Sequence, residues 1–367
     1  MSHSASDPPL SRPMSSDRQS LPARVADASY WMSRYVERSE HLARVLLVSA
    51  DMLTGTGDLD ETLADQLCRD VLAIAQQSDR YDPWRAECGS STDFIHTISR
   101  HLVLDLANPN SVLNCISRAR ENARTIRESI SAEMWEHLNT LYWSFQSDVA
   151  GPRFADAPQE RYRQVMTGSL LFQGVTDQTL DHGQVWLFMQ LSKYLERVDM
   201  TCRILAAKFS TLDSLGTGVE GPLQVLQWMA VLRSCCSIES FRRLRPYEMD
   251  AVAVATFVIF EPSFPRSVLF CIRHALQSVD RIRAMLSADA GREAQRLLGR
   301  LLGELQYPQG LPNQPDELRA FLDRTRLAAA TAAVAVQDQW FMRALDSTAV
   351  VRPVVHGHLK GSPADAD

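Results

Sequence analysis

The sequence predicts an all-α protein, a tandemly duplicated helical bundle whose halves are related by a pseudo-twofold axis. Three observations predict it. Long period-2 alternation bounded by hairpin turns is missing, and the periodic segments run about 15 to 25 residues, the length of helices rather than strands. Tyr35-Val36-Glu37-Arg38-Ser39-Glu40, followed by Arg44-Val45-Leu46, recurs 159 residues further on as Tyr194-Leu195-Glu196-Arg197-Val198-Asp199, followed by Arg203-Ile204-Leu205. Pro109-Asn110-Ser111-Val112-Leu113-Asn114-Cys115-Ile116 recurs 156 residues on as Pro265-Arg266-Ser267-Val268-Leu269-Phe270-Cys271-Ile272. A repeated unit buries its apolar face against its twin, so a site is to be sought at the seam between the halves.

The elements follow in order. Residues 1–20 are rich in Ser and Pro and read as a disordered extension. The first repeat, 21–150, is expected to hold helices near Ala23–Thr54, Asp60–Gln77, Ser91–Leu106, Ser111–Ile130 and Ala132–Asp148. Asn108-Pro109-Asn110-Ser111 marks a boundary, because Pro disfavours helical geometry at the preceding residue and Ser or Asn caps the next helix. Residues 151–183 read as a connector, with a turn or two of helix at Arg161–Met166. The second repeat, 184–290, offers helices near Gln184–Leu212, Pro222–Arg243, Met249–Phe260 and Ser267–Ser287. Closing helices at Glu293–Gln306 and Asp316–Asp346 occupy 291–350, separated by the stretch Pro308–Pro315, and 351–367 reads as a disordered tail.

Composition narrows the function classes. Of 367 residues, 45% are hydrophobic and 22% charged, as in an ordinary globular protein, and the net charge of −6 argues against nucleic acid or an anionic membrane as partner. The most apolar run, Ala251 to Phe260, is about half the roughly 20 residues that a membrane-spanning helix needs. The seven cysteines (Cys68, Cys88, Cys115, Cys202, Cys235, Cys236, Cys271) are odd in number and form no C-x-x-C. With no apolar leader core near Met1, the expectation is a cytoplasmic, reducing environment.

The first helix sorts at 100° per residue into an apolar stripe (Ala28, Trp31, Tyr35, Leu42, Leu46) and a charged face of Arg34, Glu37, Arg38, His41 and Arg44, with Glu40 at its flank. The partner helix repeats that division with Lys193, Glu196, Arg197, Asp199 and Arg203. A solvated face needs charges in no particular order, yet here the order recurs. Two readings stay open. One is a structural network of i,i+3 and i,i+4 pairs interlocking across the pseudo-twofold axis; the other is a polar site that binds an amine or carboxylate, transfers a proton or holds a metal.

A second candidate, for anion binding, is Arg120, Arg124 and Arg127, spaced i, i+4 and i+7, against the alternative of a solvated basic face. Cys235-Cys236 reads as paired core thiols, and the Trp and Tyr residues as packing. Neither metal nor cofactor is expected. No Glu has a His three residues later, as a helical di-iron site requires, and His41 has Met200 at its repeat position. The chain also has no Gly-rich phosphate loop, no G-x-S-x-G and no H-E-x-x-H, while His356-Gly357-His358 falls in the tail.

Several separated segments, in this order, resemble the bacterial alpha-E domain family: Arg24-Val25-Ala26 leading into Tyr30-Trp31-Met32-Ser33-Arg34-Tyr35-Val36-Glu37-Arg38; Ala119-Arg120-Glu121-Asn122-Ala123-Arg124 with Ser131-x-Glu133-Met134-Trp135-Glu136; and Glu261-Pro262-x-Phe264-Pro265-Arg266-Ser267. The resemblance implies a helical protein of undefined activity, encoded beside a circularly permuted ATP-grasp protein and a transglutaminase-like protein. It thereby implies an accessory role in peptide or amide ligation. The alternatives are an enzyme with a Glu/Arg site between the repeats, and a homo-oligomeric scaffold. The family's repeated acidic positions fall on Glu37, Glu40, Glu196 and Asp199.

Overall fold

The computed structural model describes residues 21–55, 61–88, 91–149, 158–214, 222–286, 290–308, 310–311 and 314–341. The expected disordered ends, His356-Gly357-His358 included, lie outside them. Among the described residues are fourteen α-helices and no strand. The first seven are α1 (Ala23–Gly55), α2 (Glu61–Ile74), α3 (Tyr81–Glu87), α4 (Ser91–Val103), α5 (Val112–Thr125), α6 (Ala132–Val149) and α7 (Pro158–Thr179). The rest are α8 (Gln184–Ser214), α9 (Pro222–Ser234), α10 (Ile238–Leu244), α11 (Ala251–Phe260), α12 (Val268–Met285), α13 (Arg292–Gln306) and α14 (Pro315–Trp340).

The long helices α1 and α8 pack against each other at the centre. Helices α5 and α7 lie on α1, and α12 and α14 lie on α8. The next pair crosses over: α2, which follows α1, packs chiefly on α8, while α9, which follows α8, packs chiefly on α1. One apolar cluster draws on every helix from Ala26 to Phe341, so the two sequence repeats share a core. Enclosed on several sides, α1 is buried on both its apolar stripe and much of its charged face.

Local chemistry explains the ends that matter. Ser111 accepts from the Asn114 amide at 3.3 Å, and Ser267 accepts from the Phe270 amide at 3.1 Å. These N-caps satisfy free donors at the starts of α5 and α12 and hold the loop residues before them, Asn110 and Arg266, toward the centre.

The structure corrects several boundaries. The segment read as a connector carries the 22-residue α7, whose Tyr162, Val165, Gly168, Ser169, Phe172 and Thr176 are buried at helical spacing. Its inward face uses Gly, Ser and Thr, which mute the hydrophobic periodicity. A Cβ on Gly168 would come within 2.8 Å of Leu141 Cδ1, so a larger residue there would have to push the Leu141 side chain aside. The expected helix Pro222–Arg243 breaks at Cys235–Ser237. Cys236 adopts φ 56 and the Ser237 amide donates back to the Leu232 carbonyl at 2.8 Å, a helix stop usually built on Gly. Helix α5 ends at Thr125 rather than Ile130, and a 3-10 turn follows at Arg127–Ser129. Helix α3 fills a stretch where no helix was expected. Of the aromatics read as packing, Trp228 is fully buried but Trp143 is 54% exposed.

Candidate functional site: a buried glutamate–arginine cluster

The centre of the molecule, where α1 meets α8, is charged. Arg38 donates from Nε to Glu196 Oε1 at 2.6 Å and from Nη2 to Oε2 at 3.0 Å. In the opposite sense, Arg197 donates from Nε to Glu37 Oε1 at 2.6 Å and from Nη2 to Oε2 at 3.2 Å. Two neighbouring residues on one helix thus grip their counterparts on the other, each through a two-pronged guanidinium–carboxylate pair. Glu37 and Glu196 are essentially inaccessible to solvent, at 1% and 0%.

Further cations gather round. Arg34 pairs with Glu196 at 2.7 Å and donates to the Tyr30 hydroxyl at 2.9 Å. Arg44 donates to Glu40 at 2.7 Å, one turn away on α1. Arg203 pairs with Asp199 at 2.5 Å. Arg266 reaches in from the loop before α12 to Glu40 at 3.1 Å and Glu37 at 3.4 Å. The same loop offers its Pro265 carbonyl to Arg197 Nη1 at 3.2 Å, as the loop before α5 offers Asn110 Oδ1 to Arg38 Nη1 at 2.8 Å. Guanidiniums outnumber carboxylates on each side: Arg197, Arg266 and Arg44 stand around Glu37 and Glu40, and Arg34, Arg38 and Arg203 stand around Glu196 and Asp199, with Arg326 3.9 Å from Asp199.

That excess decides the protonation states. Burial alone would raise the Glu37 carboxyl, but the charges of Arg197 and Arg266 outweigh it and hold it far below its ordinary value. Burial is likewise overcome at Glu196 by Arg38 and Arg34, which bring it down to about 2, and at Glu40 by Arg266 and its neighbours. His41 moves down, through burial first and Arg266 second, and so is neutral at pH 7. Its Nδ1 lies 3.0 Å from the Glu37 carbonyl and its Nε2 lies 3.1 Å from Arg266 Nη1. A guanidinium can only donate, so the proton of the neutral ring sits on Nδ1. Lys193, buried over the Tyr194 ring with its Nζ 4.9 Å from the centroid, is pushed down to about 8 by burial and by Arg197.

Glu37, Glu40 and His41 present ligand atoms within 4.8 Å of one another. The sequence showed the first and third as a lone i,i+4 pair. All three atoms converge on Arg266, whose guanidinium is the cation of this group; a metal ion would have to displace it and withstand Arg197 and Arg44 beside it.

Of the residues singled out in the sequence, all ten on α1 and α8 lie in or against this cluster. Arg120, Arg124 and Arg127 lie elsewhere. Arg120 faces the rings of Trp135, Tyr142 and Trp143 and donates to Asn139 Oδ1 at 2.8 Å. Arg127, beyond the end of α5, also lies over Trp135, while Arg124 pairs with Glu121 at 2.7 Å on the surface. Arg266 and Asn110 were not selected from the sequence as site residues. Both occupy the same place in the Pro-x-Ser-Val-Leu repeat, which was the available signal.

A family described as a predicted alpha-helical domain with a conserved ER motif matches residues 21–341. The chain belongs to the Alpha-E family. Glu37-Arg38 and Glu196-Arg197 are Glu-Arg dipeptides of the kind that description names, and they are the two that grip each other at the centre. The chain is also similar to uncharacterised proteins of Mycobacterium bovis and Mycobacterium tuberculosis, 23% identical over 323 residues. That match takes in 85% of this chain and 35% of each relative, so the chain spans about a third of the length of the curated relatives it matches. No solved structure matches it.

Proposed function

We propose that this Alpha-E protein is a helical accessory subunit of a peptide- or amide-ligating system, working beside an ATP-grasp ligase and a transglutaminase-like protein. The observation that carries the reading is the saturation of the central cluster. Glu37, Glu40, Glu196 and Asp199 are each held by at least one guanidinium, so no carboxylate stands ready as a general base, and the charges serve to fix α1 on α8. This weighs against the cluster's being a catalytic centre of its own. In the mycobacterial relatives the matched region is one part of a much longer chain, which suits a unit that acts alongside other domains.

The test is affinity purification of the tagged protein from its native cell at moderate salt, followed by mass spectrometry. An ATP-grasp ligase in near-stoichiometric amount is the expected result, and ligation should then be assayed on that complex. Recovery of the chain alone, or only with itself, overturns the subunit reading in favour of the homo-oligomeric scaffold.

A further inference from the structure

Lysine is rare in this chain: among its 38 Lys and Arg residues, only Lys193, Lys208 and Lys360 are lysines. Lys208 is paired with Asp70 at 3.1 Å, and Lys360 lies outside the described residues. Lys193 stands against the central cluster at the repeat position of Arg34, and the two are held differently. Arg34 pairs with Glu196 Oε2 across the seam at 2.7 Å and donates to the Tyr30 hydroxyl at 2.9 Å. The counterpart of that carboxylate oxygen, Glu37 Oε2, accepts instead from Gln173 Nε2 of α7 at 3.3 Å, and the counterpart of Tyr30 is Met189, which has no hydroxyl to offer. Lys193 is left with neither partner. It is 9% exposed and makes no hydrogen bond or ion pair with any described residue, while its Nζ, 4.9 Å from the centre of the Tyr194 ring, still touches solvent.

The residues beside it change in the same sense. Tyr194 repeats Tyr35, whose hydroxyl accepts from Arg118 at 3.3 Å. The counterpart of Arg118 is His274, which rests against the Tyr194 ring at 5.3 Å and donates from Nδ1 to the Phe270 carbonyl at 2.8 Å. The Tyr194 hydroxyl and His274 Nε2 have no hydrogen-bond partner and, like Lys193 Nζ, stay open to solvent. Where the first repeat sets two guanidiniums that keep their charge, the second sets two groups that can give up a proton. Burial and Arg197 on the same helix push the amine toward its neutral form; Glu37 on α1, Asp177 on α7 and the Cys271 thiol on α12 act the other way, and it settles at about 8. Glu37 is committed to Arg197 and Arg266, and Asp177 accepts from the Trp186 indole at 3.1 Å.

We propose that Lys193, kept off Glu37 by Gln173, is a nucleophilic amine that forms an imine with the carbonyl group of a small aldehyde or ketone beside the Tyr194 ring. The Nζ lone pair forms the C–N bond as the carbonyl π pair moves to oxygen, and a proton passes from nitrogen to oxygen through water. The nitrogen lone pair then expels the hydroxyl, which leaves as water with the second amine proton, so a C=N bond replaces C=O and one water is released. So little of the lysine is open that its reactant is a small molecule rather than a protein side chain. The inference does not rest on the subunit reading, since the amine and its surroundings lie within one chain.

The test is reductive trapping on the full chain with about 1 mM propanal and cyanoborohydride near pH 7.5, followed over time by peptide mass spectrometry. Lys193 is expected to be propylated at least about tenfold faster than Lys360, because a far larger fraction of its amine is unprotonated. Its rate should level off above about pH 8, while that of Lys360 keeps rising. Lys193→Met should remove the fast site. Gln173→Ala frees Glu37 Oε2 for an ion pair like that of Arg34 and should slow labelling of Lys193 severalfold. A Lys193 rate no faster than that of Lys360, a rate that climbs in parallel with it past pH 8, or an unchanged rate in Gln173→Ala would each overturn the proposal.

Discussion

Glu37 is gripped by Arg197 through both its carboxylate oxygens, at 2.6 and 3.2 Å, and the residue next to each grips its counterpart in return. The exchange places four charges in the centre of the core, where pairing offsets desolvation only if the geometry holds. Such a lock adds little net stability over an apolar pair. It does penalise every other register of α1 on α8, because a slip by one residue would bury unpaired charges.

Removing one partner should therefore cost far more than removing both. Glu37→Gln is expected to lower stability by about 3–5 kcal/mol, because Arg197 is left buried with a neutral neighbour. Glu37→Met combined with Arg197→Met should cost clearly less than the sum of the single changes. Urea unfolding of the four proteins measures the coupling; additive losses would mean that the pair is not an energetic unit.

Acid should unfold the protein through the same groups. The Glu196 carboxyl sits at about 2 in the folded chain and near 4.5 when exposed. As pH falls from about 4.5, the unfolded chain takes up protons that folded Glu196 refuses, so stability present at neutral pH is lost toward pH 2. Glu37 and Glu40, also held low, act in the same direction. Chemical denaturation between pH 5 and about 3 should show the falling slope. Glu196→Gln, weaker at pH 7, should show a shallower one.

Lys193 predicts the opposite behaviour in alkali. Its ammonium titrates at about 8 in the fold and 10.5 when exposed, so between these values the unfolded chain holds a proton that the folded chain has released. The lysine's own contribution should rise with pH from about 8, against the fall from six buried thiols that the fold holds above their ordinary value of 9, so it is read as the difference between the parent and Lys193→Met. Lys193→Met should raise stability at pH 7 by up to about 3 kcal/mol and remove that rise. A variant no more stable than the parent would show that the lysine is accommodated as a charge.

The caps that aim the loops should matter beyond their helices. Ser267→Ala removes the acceptor for the Phe270 amide and the donor to the Glu261 carbonyl, and is expected to cost about 1 kcal/mol or somewhat more. Because Ser267 adjoins Arg266, the neutral ring of His41 should respond too. Its NMR titration is expected to move upward in this variant as the guanidinium loosens, and an unmoved titration would separate cap from cluster.

How legible was all this in the chain? The charged face of α1 was plain at 100° spacing, and its recurrence on α8 named the ten residues that meet. Their burial was not legible, because a face of alternating charges reads as solvated unless the partner that neutralises it is known. Helix α7 was hidden for a related reason: its inward Gly168, Ser169 and Thr176 are chosen for close approach rather than hydrophobicity. Arg266 was visible only as one letter in a repeat whose structural importance lay in the capping serine beside it.

Local sequence, through hydrophobic period, caps and the recurring Tyr-x-Glu-Arg segment, determined that the chain is helical and which faces are charged. Those signals act within a few turns of one helix, where side-chain spacing is set by the backbone. Tertiary structure alone decided that Glu37 meets Arg197, that Arg266 occupies the centre of three ligand groups, and that Lys193 is left without a partner. Each depends on how far apart two helices lie and how a loop enters between them, distances set by the packing of the whole core and not by any segment of it.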